Sequence, residues 1–128
     1  MRLLQLMAGA EKGGAEKFFM RLANSLHKTS IHQELLVRPF KKREKFFKEA
    51  SIKFSTAKFG GVWDFSTRKA VKKLVQRFEP DIVLSWMNRA TSFVPVLGRS
   101  NPFVHVGTPR GYYDPKYYKQ CDHLIVTT

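Results

Sequence analysis

MRLLQLMAGAEKGGAEKFFMRLANSL, residues 1–26, runs from an apolar strand through a glycine-bearing loop into an amphipathic helix. Leu3, Leu4, Leu6 and Met7 form the short apolar run expected of a strand buried on both faces. Gly9, Gly13 and Gly14 then allow a tight turn and a close approach of backbone to ligand. Ala15, Phe18, Phe19, Leu22, Ala23 and Leu26 recur at helical spacing, so one helix face packs on a sheet. This order aims the first N–H groups of the helix, at its positive dipole end, beyond the carboxyl end of the strand. A phosphate or carboxylate is the natural guest there. The glycine spacing fits neither G-x-G-x-x-G nor G-x-x-x-x-G-K-[ST], so a plain strand-to-helix turn is the competing reading.

Outward from that unit, strand and helix signals alternate. Residues 31–37 read as a second strand that Pro39 stops. Residues 40–49, FKKREKFFKE, are helix-compatible, with Phe40, Phe46 and Phe47 as anchors and Lys41, Lys42, Arg43, Lys45 and Lys48 expected in solvent. Residues 52–59 alternate as a third strand. Asp64 or Ser66 caps a helix whose stripe is Ala70, Val71, Leu74, Val75 and Phe78, and Pro80 ends it. Ile82, Val83 and Leu84 suggest a fourth strand and residues 90–98 a short helix. Phe103, Val104 and Val106 suggest a fifth strand, residues 115–120 one or two helical turns, and residues 123–127 a sixth strand. Alternation of this kind predicts an α/β fold, a Rossmann-like parallel sheet flanked by helices.

The composition, 43% hydrophobic and 13% aromatic over 128 residues, is that of one globular domain. No apolar run reaches the roughly 18–20 residues that a membrane-spanning helix needs, and a cytoplasmic location is the expectation. The single cysteine, Cys121, excludes an internal disulfide and a cysteine-based metal site. Lys and Arg total 23 against 10 acids, a net charge of +13 that favours polyanionic partners: nucleic acid, anionic headgroups or phosphorylated saccharides.

Three segments carry a resemblance. GGAE followed by the helix of residues 15–26 resembles the opening of the GT-B glycosyltransferases, specifically the first domain of glycosyltransferase family 4. FEPDIVLSWMNRATSFVP, residues 78–95, resembles the family's P-D-[IV] strand and the helix after it. PFVHVGTPRGYYDPKYYKQCDHLIVTT, residues 102–128, is similar to a segment of a bacterial subgroup that builds surface polysaccharide or lipopolysaccharide. The resemblance implies that residues 1–128 form the N-terminal, acceptor-side domain of a GT-B fold, with the C-terminal donor-binding domain missing and the chain truncated. It implies transfer of a sugar, with retention, from a nucleotide-diphosphate donor to a saccharide or lipid-linked acceptor, with no cofactor beyond that donor substrate and no metal. Alone, such a chain is expected to be inactive.

In open α/β sheets ligands gather beyond the carboxyl ends of the strands. The segments converging there are residues 9–16, 86–89, 107–114 and 127–128. The resemblance puts Gly13 and Gly14 against donor diphosphate or acceptor. Glu16, Trp86, Asn88, Arg89, Arg110 and Tyr112 are the further binding candidates at that edge, the arginines being either a grip on phosphate or carboxylate or solvated surface charges. His105 matches a place where the family often carries a functional histidine, making it the catalytic candidate; its position between Val104 and Val106 leaves open that it packs inside the strand. Trp86 is either a sugar platform or core, and Tyr112, Tyr113, Tyr117 and Tyr118 either stack on sugar or pack a short helix. Lys41, Lys42, Arg43, Lys45, Phe46 and Phe47 form the candidate contact with an anionic membrane. No His, Asp and Glu spacing suggests a metal site. Two other functions compete: a basic nucleic-acid-binding domain, and a non-catalytic subunit that docks a separate donor-binding domain.

Overall fold

The computed structural model of the chain describes residues 1–9, 13–96, 102–109 and 114–126. Six parallel strands lie in the order β3-β2-β1-β4-β5-β6: β1 (Arg2–Met7), β2 (His32–Val37), β3 (Phe54–Thr56), β4 (Ile82–Trp86), β5 (Val104–Thr108) and β6 (His123–Leu124). Helices α1 (Gly14–His27), α2 (Lys41–Glu49), α3 (Phe65–Phe78) and α4 (Met87–Ser92) and a 3-10 turn (Pro115–Tyr118) connect them.

Period-two alternation in the strands feeds two cores. Leu4, Leu6, Leu36 and Val83 face one side and pack with Val71, Leu74, Val75 and Phe78 of α3 and with Ala90, Phe93 and Val94. Leu3, Met7, Leu35, Val37, Leu84 and Trp86 face the other side and meet Phe19 and Ala23 of α1 and Phe47 of α2. Strands covered on both faces read as continuous apolar runs, as residues 3–7 do. The polar side chains inside are paired. Gln5 Nε2 donates to Gln33 Oε1 (2.5 Å), Gln33 Nε2 to the Ala23 carbonyl (2.9 Å) and Trp86 Nε1 to Gln5 Oε1 (2.9 Å). Glu34 is buried in β2, but Arg77 grips both its oxygens (3.1 and 2.9 Å) and Lys53 lies 2.9 Å away. Burial pushes the Glu34 carboxyl up, and these two cations outweigh that and hold it below its ordinary value.

The observed elements differ from expectation at the margins. The strand expected over residues 52–59 is three residues long, because Ile52 and Phe59 bury themselves from flanking turns. The helix expected over 90–98 begins earlier, at Met87; residues 97 and 98 lie outside the described residues. Asp64 is the cap of α3, accepting from the Thr67 N–H at 3.0 Å.

Candidate active site at the carboxyl edge of the sheet

Two features of the carboxyl edge come from strand-to-helix turns. At the first, Gly13 caps α1 without any side-chain hydrogen bond, and Glu16 in the first turn is buried. Its carboxylate folds back over the loop: a Cβ on Gly9 would collide with Oε1 and lie 2.9 Å from Cδ, and one on Gly13 would collide with Oε2. The positive end of α1 is thus occupied by the chain's own anion, which is electrostatically favourable there. Gly9 and Gly13 make room for Glu16, which corrects the expectation that they are open to a ligand. Gly14 keeps open space around it.

At the second turn β4 passes directly into α4, and Met87 takes a left-handed backbone with φ of 65°. A non-glycine residue there is strained by about 1–3 kcal/mol and persists only where its surroundings enforce it. A chain of hydrogen bonds lies under the turn. Thr91 Oγ1 donates to the Met87 carbonyl (2.8 Å), Thr91 and Ser85 hydroxyls meet at 2.8 Å, and Ser85 Oγ meets His105 Nε2 at 2.8 Å. Asn88 and Arg89 are thereby exposed at the edge, with Arg89 Nη1 donating to the Phe59 carbonyl at 3.2 Å. They line a groove of about 350 Å³ together with Gly61, Arg68 and Tyr117.

Two candidates are corrected by burial. His105 is only 1% exposed, and its backbone N–H donates to Asp122 Oδ2 at 2.8 Å. Burial lowers its pKa to about 4, against an opposing pull from Asp122, so the ring is neutral near pH 7. It lies beneath the Met87 turn, hydrogen-bonded to Ser85, and touches no open surface. Trp86 is 2% exposed, packed edge-on against Phe19 at 5.4 Å, and is core rather than a sugar platform. Arg110, Tyr112 and Tyr113 lie outside the described residues. Tyr118 is buried and Tyr117 exposed, so the tyrosines divide between packing and surface.

Two of the membrane-contact candidates also move inward. Phe47 is fully buried against Phe19 and Phe54, and Arg43 is buried with its guanidinium 5.0 Å from the Phe40 ring. In a helix of nine residues packed on a sheet, positions 43 and 47 fall on the inner face, one turn apart. Lys41, Lys42 and Lys45 remain exposed and Phe46 half-buried. No helix among the described residues is long and apolar enough to cross a membrane. Among the described residues no three His, Cys, Asp or Glu side chains cluster to hold a metal.

Sequence reasoning missed the inner support, Ser85 and Thr91. Small hydroxyls in an apolar stretch carry no pattern of their own, and their partners are 6 and 20 residues apart in the chain.

No family model matches the chain. It is 30% identical over 129 residues to the lipopolysaccharide core biosynthesis glycosyltransferase LpsD of Rhizobium meliloti (strain 1021), an alignment covering 100% of this chain and 37% of the relative. It is also 30% identical over 84 residues to LpsE of the same strain, covering 65% of this chain and 25% of the relative. The chain spans little more than a third of the first relative and a quarter of the second. Its fold is similar to that of MurG from Acinetobacter baumannii, with a TM-score of 0.68 at 13% identity over 98% of this chain and 41% of that one.

Proposed function

We propose that this chain, which belongs to the GT-B glycosyltransferases, is the acceptor-side part of an enzyme of lipopolysaccharide core or surface polysaccharide assembly. The reaction is transfer of a sugar from a nucleotide-diphosphate donor to a saccharide or lipid-linked hydroxyl, with retention and without a metal. The alignment with LpsD along the whole chain carries this reading. The carboxyl edge supports it: the Met87 turn presents Asn88 and Arg89 beside a groove, and a guanidinium suits a phosphate or carboxylate on an acceptor. Catalysis of this kind is positioning plus stabilisation of the departing diphosphate. The donor-binding groups belong to the remainder of the enzyme, so the chain alone is inactive. It works at the cytoplasmic face of an anionic membrane, which the net charge of +13 favours.

A second reading, a subunit that docks a separate donor-binding half, draws on one observation. Leu124, Ile125 and Val126 are 41–54% exposed on and after the edge strand β6, an apolar strip that a further structural element would cover. A nucleic-acid role gains no such support, because the cations are divided between helices on opposite faces of the sheet.

The test is a titration of the purified chain with a truncated lipopolysaccharide core oligosaccharide, followed by backbone amide NMR. Shifts should concentrate at Gly14, Asn88 and Arg89, and Arg89→Ala should weaken binding about tenfold, the loss of one charge-assisted contact. Saccharide binding that leaves these amides unmoved, or no saccharide binding at all, defeats the reading.

A further inference from the structure

Residues 62–65 hold three large apolar side chains mostly in water: Val62 is 73% exposed, Trp63 82% and Phe65 64%. Single exposed apolar residues are ordinary, but a contiguous group marks an interaction surface. The exposure is built into the backbone here. Asp64 sits at the centre of the turn, where its Oδ2 accepts from the Gly60 N–H (2.7 Å) and from Thr67 Oγ1 (2.6 Å). Its Oδ1 accepts from Ser66 Oγ (2.8 Å) and from the Thr67 N–H (3.0 Å). Its own N–H donates to the Gly61 carbonyl at 3.0 Å. Collapse of the loop to hide Trp63 would break this set. The Trp63 and Phe65 rings meet edge to face at 6.1 Å and project as one unit.

The surroundings are cationic. Between Lys58 and Arg77 the sequence has six cations and one acid, Asp64, whose carboxylate is already spent on the turn. Phe65, Lys69 and Lys72 stand at i, i+4 and i+7 on the outer stripe of α3, opposite buried Val71, Leu74 and Val75. An apolar tip backed by a lysine stripe complements an anionic lipid surface: aromatic rings settle at the headgroup level and lysines stay with the phosphates. Helix α2 offers a smaller apolar part, since Phe47 is in the core and Phe46 is half-buried.

We propose that Val62, Trp63 and Phe65 insert into the interfacial layer of an anionic membrane, with Lys58, Lys69 and Lys72 on its headgroups. The inference rests on the membrane assignment made above and names the residues that anchor it; it does not depend on the sugar-transfer chemistry.

The full chain is tested by co-sedimentation with phosphatidylcholine vesicles, with and without phosphatidylglycerol, while tryptophan emission is recorded. Trp86 is buried, so a blue shift reports Trp63. Binding to the anionic vesicles only, with a blue shift, is expected. The Trp63→Ser, Phe65→Ser double variant should abolish the anchoring and reduce partition by about tenfold or more. Lys69→Glu with Lys72→Glu should reduce partition about as strongly and flatten its salt dependence. Both pairs are exposed, and unchanged melting temperatures would verify that the fold is kept. If anionic vesicles bind with Trp63 emission unmoved and the double variant unaffected, the insertion is overturned while the membrane assignment stands. Absence of vesicle binding overturns both. A blue shift produced by core oligosaccharide or by self-association, and not by vesicles, also overturns the insertion and assigns the loop to that occupant.

Discussion

Glu16 and His105 are two residues whose roles follow from what surrounds them rather than from what they are. Glu16 lies over Gly9, so Gly9→Ala should destabilise the chain by about 1–3 kcal/mol through overpacking. Adding Glu16→Ala should return much of that loss, a coupling that a double-mutant cycle in urea would measure. Additive losses would show that the two residues do not compete for the same space. His105 makes an acid-side prediction. Its pKa is about 4 folded against an ordinary 6.5, so between those values the unfolded chain holds a proton that the folded chain does not. Stability is therefore full above about pH 6.5 and falls as the pH drops towards 4, by up to about 3 kcal/mol. His105→Asn should show a shallower loss of unfolding free energy between pH 7 and pH 4.5 in the same urea titration. An identical slope would mean that His105 is more accessible than its 1% exposure indicates. Sequence alone makes Glu16 a ligand-binding candidate and leaves His105 open, because a histidine between two valines reads as packed or as displayed. The deciding facts, Ser85 and Asp122 beside it, come from β4 and from the turn before β6.

At the scale of elements, the pattern of residues 1–26 was legible because every signal in it agrees: apolar run, glycine turn, helical stripe. Helix α3 was legible for the same reason, down to Asp64 as one of two cap candidates. Where signals conflicted, the margins moved. The alternation in residues 52–59 holds only a three-residue strand, with Ile52 and Phe59 buried in opposite cores from outside it. In α2 the lysines are legible as surface, but the inward positions, Arg43 and Phe47, cannot be told from the outward ones without the sheet beneath. The exposed Val62, Trp63 and Phe65 were invisible for the converse reason, since apolar residues read as core until a turn is seen to hold them out. That turn is testable through Thr67, which is buried, donates to Asp64 and accepts the Phe59 N–H at 3.1 Å. Thr67→Val keeps the shape and removes the oxygen, leaving a buried N–H unpaired at a cost of about 1–3 kcal/mol. Thermal unfolding should show that loss, and amide exchange at Phe59 and Gly60 should quicken more than at β1. Equal protection in both places would mean that the turn does not depend on this hydroxyl.

At the scale of the molecule, the sheet is covered on both faces at its centre and unequal at its edges. Strand β3 ends the sheet on one side with three residues, two of them polar, a short edge that offers little to a partner. On the other side β6 pairs only with β5 among the described residues, and Leu124, Ile125 and Val126 stand exposed beside its unpaired backbone. An apolar strip next to free N–H and C=O groups is a template for a further strand, whether from the rest of a longer enzyme, a separate half or a second copy. The molecule's +13 charge opposes association of copies at low salt and loses that reach as salt screens it. The isolated chain should therefore associate as salt rises, the reverse of an electrostatic contact. Ile125→Lys with Val126→Lys places two further cations on that half-exposed strip and should keep the chain monomeric at every salt concentration, with its melting temperature little changed. Sedimentation velocity across a salt series distinguishes the cases. Association that grows with salt and vanishes in the double variant assigns the contact to the β6 edge. Association that persists in the double variant, and vanishes instead with Trp63→Ser and Phe65→Ser, would move the contact to the other apolar surface and leave β6 without a partner-binding role.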